Sequence, residues 1–191
     1  DGYYENYVRR ITQRDKRESL RYFEELLKGY STRAQIPSYG IVPEDKRSPE
    51  DELKLIIPKD ITDSFVRLCV EEKATVSNGV ELVWGLVLQT YSHTKDAVFA
   101  KIVSGRDKSE QDMGRVTGLF INSVPVRVSI DQEVTARQML VRLQQQATAT
   151  NEHDYCPLAE VQQVSELGSE LLQTVIAFQN YGSGAESTGD T

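Results

Sequence analysis

Two neighbouring segments near the middle of the chain limit the folds open to it. Residues 77–91, SNGVELVWGLVLQTY, are apolar almost all round a helix: Val80, Leu82, Val83, Trp84, Leu86, Val87 and Leu88 leave only a thin stripe of Asn78, Glu81, Gly85 and Gln89. A helix without a broad polar face belongs inside a layered fold. Residues 97–103, AVFAKIV, then form a nearly continuous apolar run, the pattern of a strand covered on both faces. A central helix followed by a doubly covered strand predicts an α/β architecture.

The flanking sequence extends that pattern. Residues 3–28 read as helix in one or two pieces, with Asp15 and Glu18 at a capping spacing, Leu20, Phe23 and Leu27 as an apolar stripe, and Gly29 as a stop. Pro37, Gly40, Pro43 and Pro49 make residues 30–51 a long loop, and residues 53–57 are a short strand ended by Pro58. Asp60 is expected to cap a helix with Ile61, Phe65, Leu68 and Cys69 on one face. Farther on, Val124, Val126, Val128 and Ile130 alternate with Pro125, Arg127 and Ser129, so one face of that strand is wet or meets another module. Pro125 cannot donate to a ladder and belongs at a strand start or on an edge. Residues 135–151 form an amphipathic helix with Met139, Leu140 and Leu143 inward, a shorter helix starts at Pro157, and residues 172–178 are a last strand. Residues 182–191 are a Gly- and Ser-rich tail.

At 191 residues the chain can bury one substantial core. Lys and Arg number 22 against 29 Asp and Glu, a formal net charge of −7, which disfavours nucleic acid and anionic membrane surfaces as partners. No apolar run reaches eighteen residues and the start, DGYYENYVRR, has no apolar signal core, so neither a membrane span nor export is expected. Cys69 and Cys156 are too far apart to suggest a disulfide framework and suit a reducing cytoplasm. His93, His153, Cys69 and Cys156 show none of the short spacings of a structural zinc site, so no metal is expected. Phosphate-cradling glycine motifs and a GxSxG elbow are also missing, leaving nucleotide binding and serine-hydrolase chemistry unsupported.

Three patches carry more information. Ser104, Gly105 and Arg106 close the buried strand; in plain chemical terms they are a strand-end turn with an arginine able to hold a loop. Gly118, Leu119, Phe120, Ile121 and Asn122 lead into the next strand, with Gly118 permitting close backbone approach, Phe120 an apolar wall, and Asn122 both donor and acceptor. Those residues read equally as a glycine turn whose asparagine satisfies backbone groups. His153, Asp154, Tyr155, Cys156, Pro157 and Leu158 read as a helix terminus followed by a capped start.

As an ordered set these patches resemble the C-terminal half of a nonribosomal peptide synthetase condensation domain: an SGRP-like turn with Asp107 in place of the proline, GxFxN continued by Pro125 and Arg127, an HQDYPL-like patch one residue shorter before the tyrosine, and a late FxNY strand at Phe178–Tyr181. That resemblance implies the chloramphenicol-acetyltransferase-like, coenzyme-A-dependent acyltransferase fold, with this chain as a single lobe of mixed sheet and flanking helices over residues 1–181. The family signature HHxxxDG belongs to the N-terminal half. No two histidines are adjacent here, and the Asp1-Gly2 pair reads as a coincidental remnant, so no catalytic residue is assigned and the fragment alone is expected to be inactive. The resemblance further implies that Ser104, Gly105, Arg106, Gly118, Phe120 and Asn122 shape or position in the substrate channel, while Arg127, His153, Tyr155 and Pro157 form a structural patch. Expected partners are the N-terminal lobe, donor and acceptor carrier domains bearing phosphopantetheine, and a neighbouring adenylation domain. A non-catalytic scaffold or carrier-docking lobe is the alternative, as is an epimerisation domain, against which the FxN element argues.

Overall fold

The computed structural model describes residues 5, 9, 12–37, 52–104, 121–130 and 133–179. In chain order they form α1 (Arg17–Leu27), α2 (Lys59–Glu71), α3 (Val76–Ser92), β1 (Asp96–Val103), β2 (Asn122–Ser129), α4 (Ala136–Thr150), α5 (Leu158–Gln163), a 3₁₀ turn (Gly168–Glu170) and β3 (Val175–Ile176). The sheet is mixed, in the order β2-β1-β3. β1 and β2 run antiparallel from Asp96↔Ser129 to Val103↔Asn122, and β3 joins β1 in parallel at Ala100↔Val175 and Lys101↔Ile176.

Helices cover both faces. On one, Ala97, Phe99, Val126 and Val128 pack with Leu82 and Leu88 of α3 and Met139, Leu140 and Leu143 of α4. On the other, Val98 packs with Phe23 and Leu27 of α1, Val161 of α5, Tyr30, Cys156 and Leu171. This accounts for the unbroken apolar run of β1, whose residues alternate between two cores. The amphipathic spacing of α4 also holds, and its N-terminus carries a full capping box: Thr135 Oγ1 accepts from the Gln138 N–H and the Gln138 side chain accepts from the Thr135 N–H.

Several expectations are corrected. The stripe Asn78, Glu81, Gly85 and Gln89 is the buried face of α3, whereas Val83 is half exposed. The reason is close approach plus polar pairing. Cβ atoms added at Gly85 and Gly79 would lie 2.5 Å from Val128 Cγ2 and Phe65 Cζ respectively, so glycine lets the helix sit against β2 and α2. Glu81 meets Lys101 of β1 at 3.2 Å and accepts hydrogen bonds from Ser77 Oγ at 2.9 Å and Asn78 Nδ2 at 3.2 Å. Gln89 Nε2 donates to the Val128 carbonyl at 2.8 Å.

On the alternate face of β2, Pro125 is buried and Arg127 reaches the end of α1, while Ser129 is exposed. Pro125 lies opposite Ala100, whose own N–H bonds to Thr174 O at 2.9 Å on the far side, so the missing proline donor costs the ladder nothing at this pair. Residues 53–57 do not pair as a strand, and Leu53, Leu55 and Ile56 are 95%, 84% and 91% exposed. The last strand shrinks to two residues. Asp15 is not the cap of α1, a position held by Lys16; Asp15 Oδ1 instead accepts from the Arg17 N–H at 3.0 Å. Asp60 falls inside the first turn of α2 after the cap at Pro58, and Ile61 points outward. Pro157 is the cap of α5, one position before the first helical residue.

The outer edge of β2 is closed by a side chain. Gln146 of α4 accepts from the Arg127 N–H at 3.0 Å and donates to the Arg127 carbonyl at 2.8 Å, occupying both groups that another strand would use.

Candidate functional site

The β1–β2 ladder ends at Val103↔Asn122, which puts exposed Ser104 and the start of the FxN-derived strand at one end of the sheet. Gly105, Arg106, Gly118 and Phe120 lie outside the described residues, as do Asn180 and Tyr181 and residues 182–191. Of the six channel residues expected from sequence, Ser104 and Asn122 can therefore be placed.

Asn122 does something specific there. Its Nδ2 donates to the Asp154 carbonyl at 2.7 Å and the Cys156 carbonyl at 2.8 Å. Both amide hydrogens are spent on the turn between α4 and α5, so the side chain has no N–H left for a reacting group. The clamp joins two patches separated by more than thirty residues. It matches the reading in which the asparagine satisfies backbone groups, and it gives Asn122 a positioning rather than a contacting geometry.

The turn itself is built by α4 running out. The His153 N–H bonds to Thr150 O at 2.9 Å and the Cys156 N–H to His153 O at 3.0 Å, after which Pro157 caps α5. Helix α1 rests on this turn through side chains. Ser19 Oγ lies 3.0 Å from His153 Nδ1 and donates to the Tyr155 hydroxyl at 2.8 Å, and Tyr155 donates to the Asp15 carbonyl at 3.1 Å. The Tyr22 ring stacks on His153 with centroids 4.4 Å apart, its hydroxyl lies 2.8 Å from Thr150 Oγ1, and the Arg14 guanidinium sits 3.7 Å above the Tyr155 ring. Lys16 pairs with Glu160 of α5 at 2.5 Å.

Arg127 fixes the other end of α1. Its guanidinium binds Asp96 at 3.0 and 2.6 Å and donates to the carbonyls of Leu26 and Lys28 at 2.8 and 2.9 Å, satisfying acceptors that a helix C-terminus leaves open. Gly29 follows at φ +72°, where a side chain would be strained. Arg127, His153 and Tyr155 thus share one assembly around α1, while Pro157 caps α5 beside it.

Reactive groups are restrained in this region. Burial, with the Glu160 charge adding to it, pushes the Cys156 thiol up to about 11, so it is no thiolate nucleophile near neutral pH. The Arg17 guanidinium and N–H beside Asp15 hold that carboxyl down at about 2. Among the described residues no three His, Cys, Asp or Glu side chains converge to hold a metal ion, and no helix is long and apolar enough to cross a membrane.

Sequence reasoning missed Ser19, Tyr22, Gln146 and the Glu81–Lys101 pair. Ser19 carries one detectable signal: with Phe23 and Leu27 it completes an i, i+4, i+8 row, a buried helical face on which a hydroxyl needs a partner. Its partners, 134 and 136 residues away, leave no local trace.

Comparison with known proteins supplies the wider context. The Condensation domain family matches residues 1–190. Tyrocidine synthase 3 of Brevibacillus parabrevis is 32% identical over 178 residues, covering 93% of this chain and 3% of that protein. Surfactin synthase subunit 3 of Bacillus subtilis is 30% identical over the same share of this chain and 14% of its own length. The chain therefore spans a small fraction of the relatives it matches. Among solved structures, a four-domain nonribosomal peptide synthetase, holo-AB3403 bound to AMP and glycine, superposes with a TM-score of 0.71 at 22% identity, covering 90% of this chain and 13% of that one. The first condensation domain of the CDA synthetase gives 0.65 at 13% identity, covering 90% and 37%. These likenesses show the fold: α/β, with the mixed sheet and flanking helices of condensation domains.

Proposed function

From the premise that this chain belongs to the condensation-domain family, we propose that it is the C-terminal lobe of a peptide-bond-forming domain of nonribosomal peptide synthesis. Asn122 carries the reading: one side chain ties the strand that leaves the GxFxN segment to the HDYCP turn, making a single unit of two patches that resemble family motifs. The exposed apolar side chains of residues 53–56 and of Val83 add support, since a lobe with a partner has a face to cover.

In the proposed reaction the acceptor amine attacks the carbonyl of a donor thioester. The C–N bond forms, the C–S bond breaks, and the amine proton ends on the departing phosphopantetheine thiol. Both substrates arrive on carrier domains, with an adenylation domain adjoining, and the HHxxxDG segment on the other lobe handles the proton. Chemistry of this kind gains most from holding amine and carbonyl together. The part of this lobe is to form and stiffen one wall of the channel, with Ser104, Gly105, Arg106, Gly118 and Phe120 along it and Asn122 setting its register through the turn. Cytoplasmic location fits the thiol chemistry.

Carrier-bound aminoacyl thioesters mixed with this chain, and separately with the complete two-lobed domain, test the reading by mass spectrometry of dipeptidyl product. Product is expected only from the complete domain. Product from this chain alone would overturn the lobe assignment, and none from either would leave a docking lobe as the better account.

A further inference from the structure

We propose that Ser19 and Tyr155 form a directed hydroxyl chain that holds His153 as its Nδ1–H tautomer, making Ser19 a positioning residue and reserving Nε2 as a lone pair for an N–H or O–H donor. The direction follows from counting protons. A backbone carbonyl cannot donate, so across the 3.1 Å contact with Asp15 O the proton belongs to Tyr155. A phenol has one proton. Across the 2.8 Å contact between the hydroxyls, Ser19 must therefore donate to Tyr155. Ser19 has then spent its own proton, and the 3.0 Å contact with His153 Nδ1 is a hydrogen bond only if Nδ1 carries the hydrogen.

The surroundings keep the chain from rearranging. Ser19 is buried, so water does not replace either partner. Tyr22 stacks on the imidazole at 4.4 Å and fixes its plane, while its own hydroxyl is tied to Thr150 Oγ1 at 2.8 Å. The tautomer of a histidine is set by the hydrogen bond its other nitrogen makes, and an imidazole whose orientation is locked through a second and a third group has the arrangement of a base and its orienter. This assignment depends on the ring and its partners alone, and not on the peptide-bond-forming reading.

Long-range ¹H–¹⁵N NMR of the histidine-labelled chain at about pH 8, above the ordinary range of a free imidazole, reads the tautomer directly. The chain has two histidines, and His93→Gln assigns them. His153 is expected to show a protonated Nδ1 and a bare Nε2; the reverse pattern would overturn the proposal. Tyr155→Phe removes the acceptor of the Ser19 proton, which then turns to Nδ1 and flips the ring to Nε2–H, while His93 stays unmoved. An unchanged His153 in folded Tyr155→Phe would refute the direction of the chain. Ser19→Ala should lose the Nδ1–H preference and Ser19→Thr should keep it, so these variants and the wild-type spectrum decide the matter even if Tyr155→Phe fails to fold.

Discussion

The inner stripe of α3 and the run at residues 53–57 reverse the ordinary placement of charge and hydrocarbon. Glu81 is 1% exposed and Leu53 is 95% exposed. The difference lies in partners. Glu81 has Ser77 and Asn78 of its own helix and Lys101 of β1 within hydrogen-bonding or ion-pairing distance, and Gly85 lets that helix sit close against the sheet. No described residue encloses Leu53, Leu55 or Ile56. Burial in this chain follows from what an element meets, and hydrophobicity alone does not decide which face meets it.

Three substitutions sharpen or break that contrast. The largest effect is expected from Glu81→Ala, which strands Lys101 beside the core: about 3 kcal/mol lost in urea denaturation. A second change, Lys101→Met, should restore much of it, and a loss below about 1 kcal/mol for Glu81→Ala would show that the pair is not what seats α3. Next is Gly85→Ala. Helix propensity would favour alanine by about 1 kcal/mol, but the new Cβ meets the branched side chain of Val128 at 2.5 Å, and overpacking of this kind costs about 1 to 3 kcal/mol. A net loss in the denaturation midpoint is expected, and a gain would break the close-approach account. The smallest effect belongs to Leu55→Ser, where removing a large apolar side chain should shift stability by no more than about 0.5 kcal/mol. A loss above about 1.5 kcal/mol would mean that residue 55 is packed after all.

Apolar periodicity made much of the fold legible. Phe23 and Leu27 on α1, Phe99 on β1, and Met139, Leu140 and Leu143 on α4 sit where their spacing puts them, because each element meets one core per face. Pro125 was readable for a similar reason, since its missing donor restricts it to an edge such as β2. The orientation of α3 was not legible: with apolar residues nearly all round, spacing cannot choose a face, and the choice falls to Gly85 and Glu81, whose partners come from β1 and β2. Residues 53–57 have the composition of a strand, but a strand exists only with a neighbour to bond. At the site, the resemblance put Asn122 with the channel residues and Arg127, His153 and Tyr155 in a separate patch, whereas the hydroxyl that joins His153 to Tyr155, Ser19, sits on a helix early in the chain. The direction in which Asn122 points could not be read from a pattern that records residue types and not their partners.

The carboxamide of Gln146 on the rim of β2 has a consequence for how copies of this chain can stick together. A bare strand flank is a template: any stray extended segment can copy its hydrogen bonds, which is how swapped dimers and fibrils begin. Here the template is already filled at Arg127 by a side chain from the chain's own α4, held in place by the packing of that helix. Recruitment of a second sheet at that rim would first require α4 to peel away and give up Met139, Leu140 and Leu143. Pairing of another strand at Arg127 is thereby tied to the departure of α4.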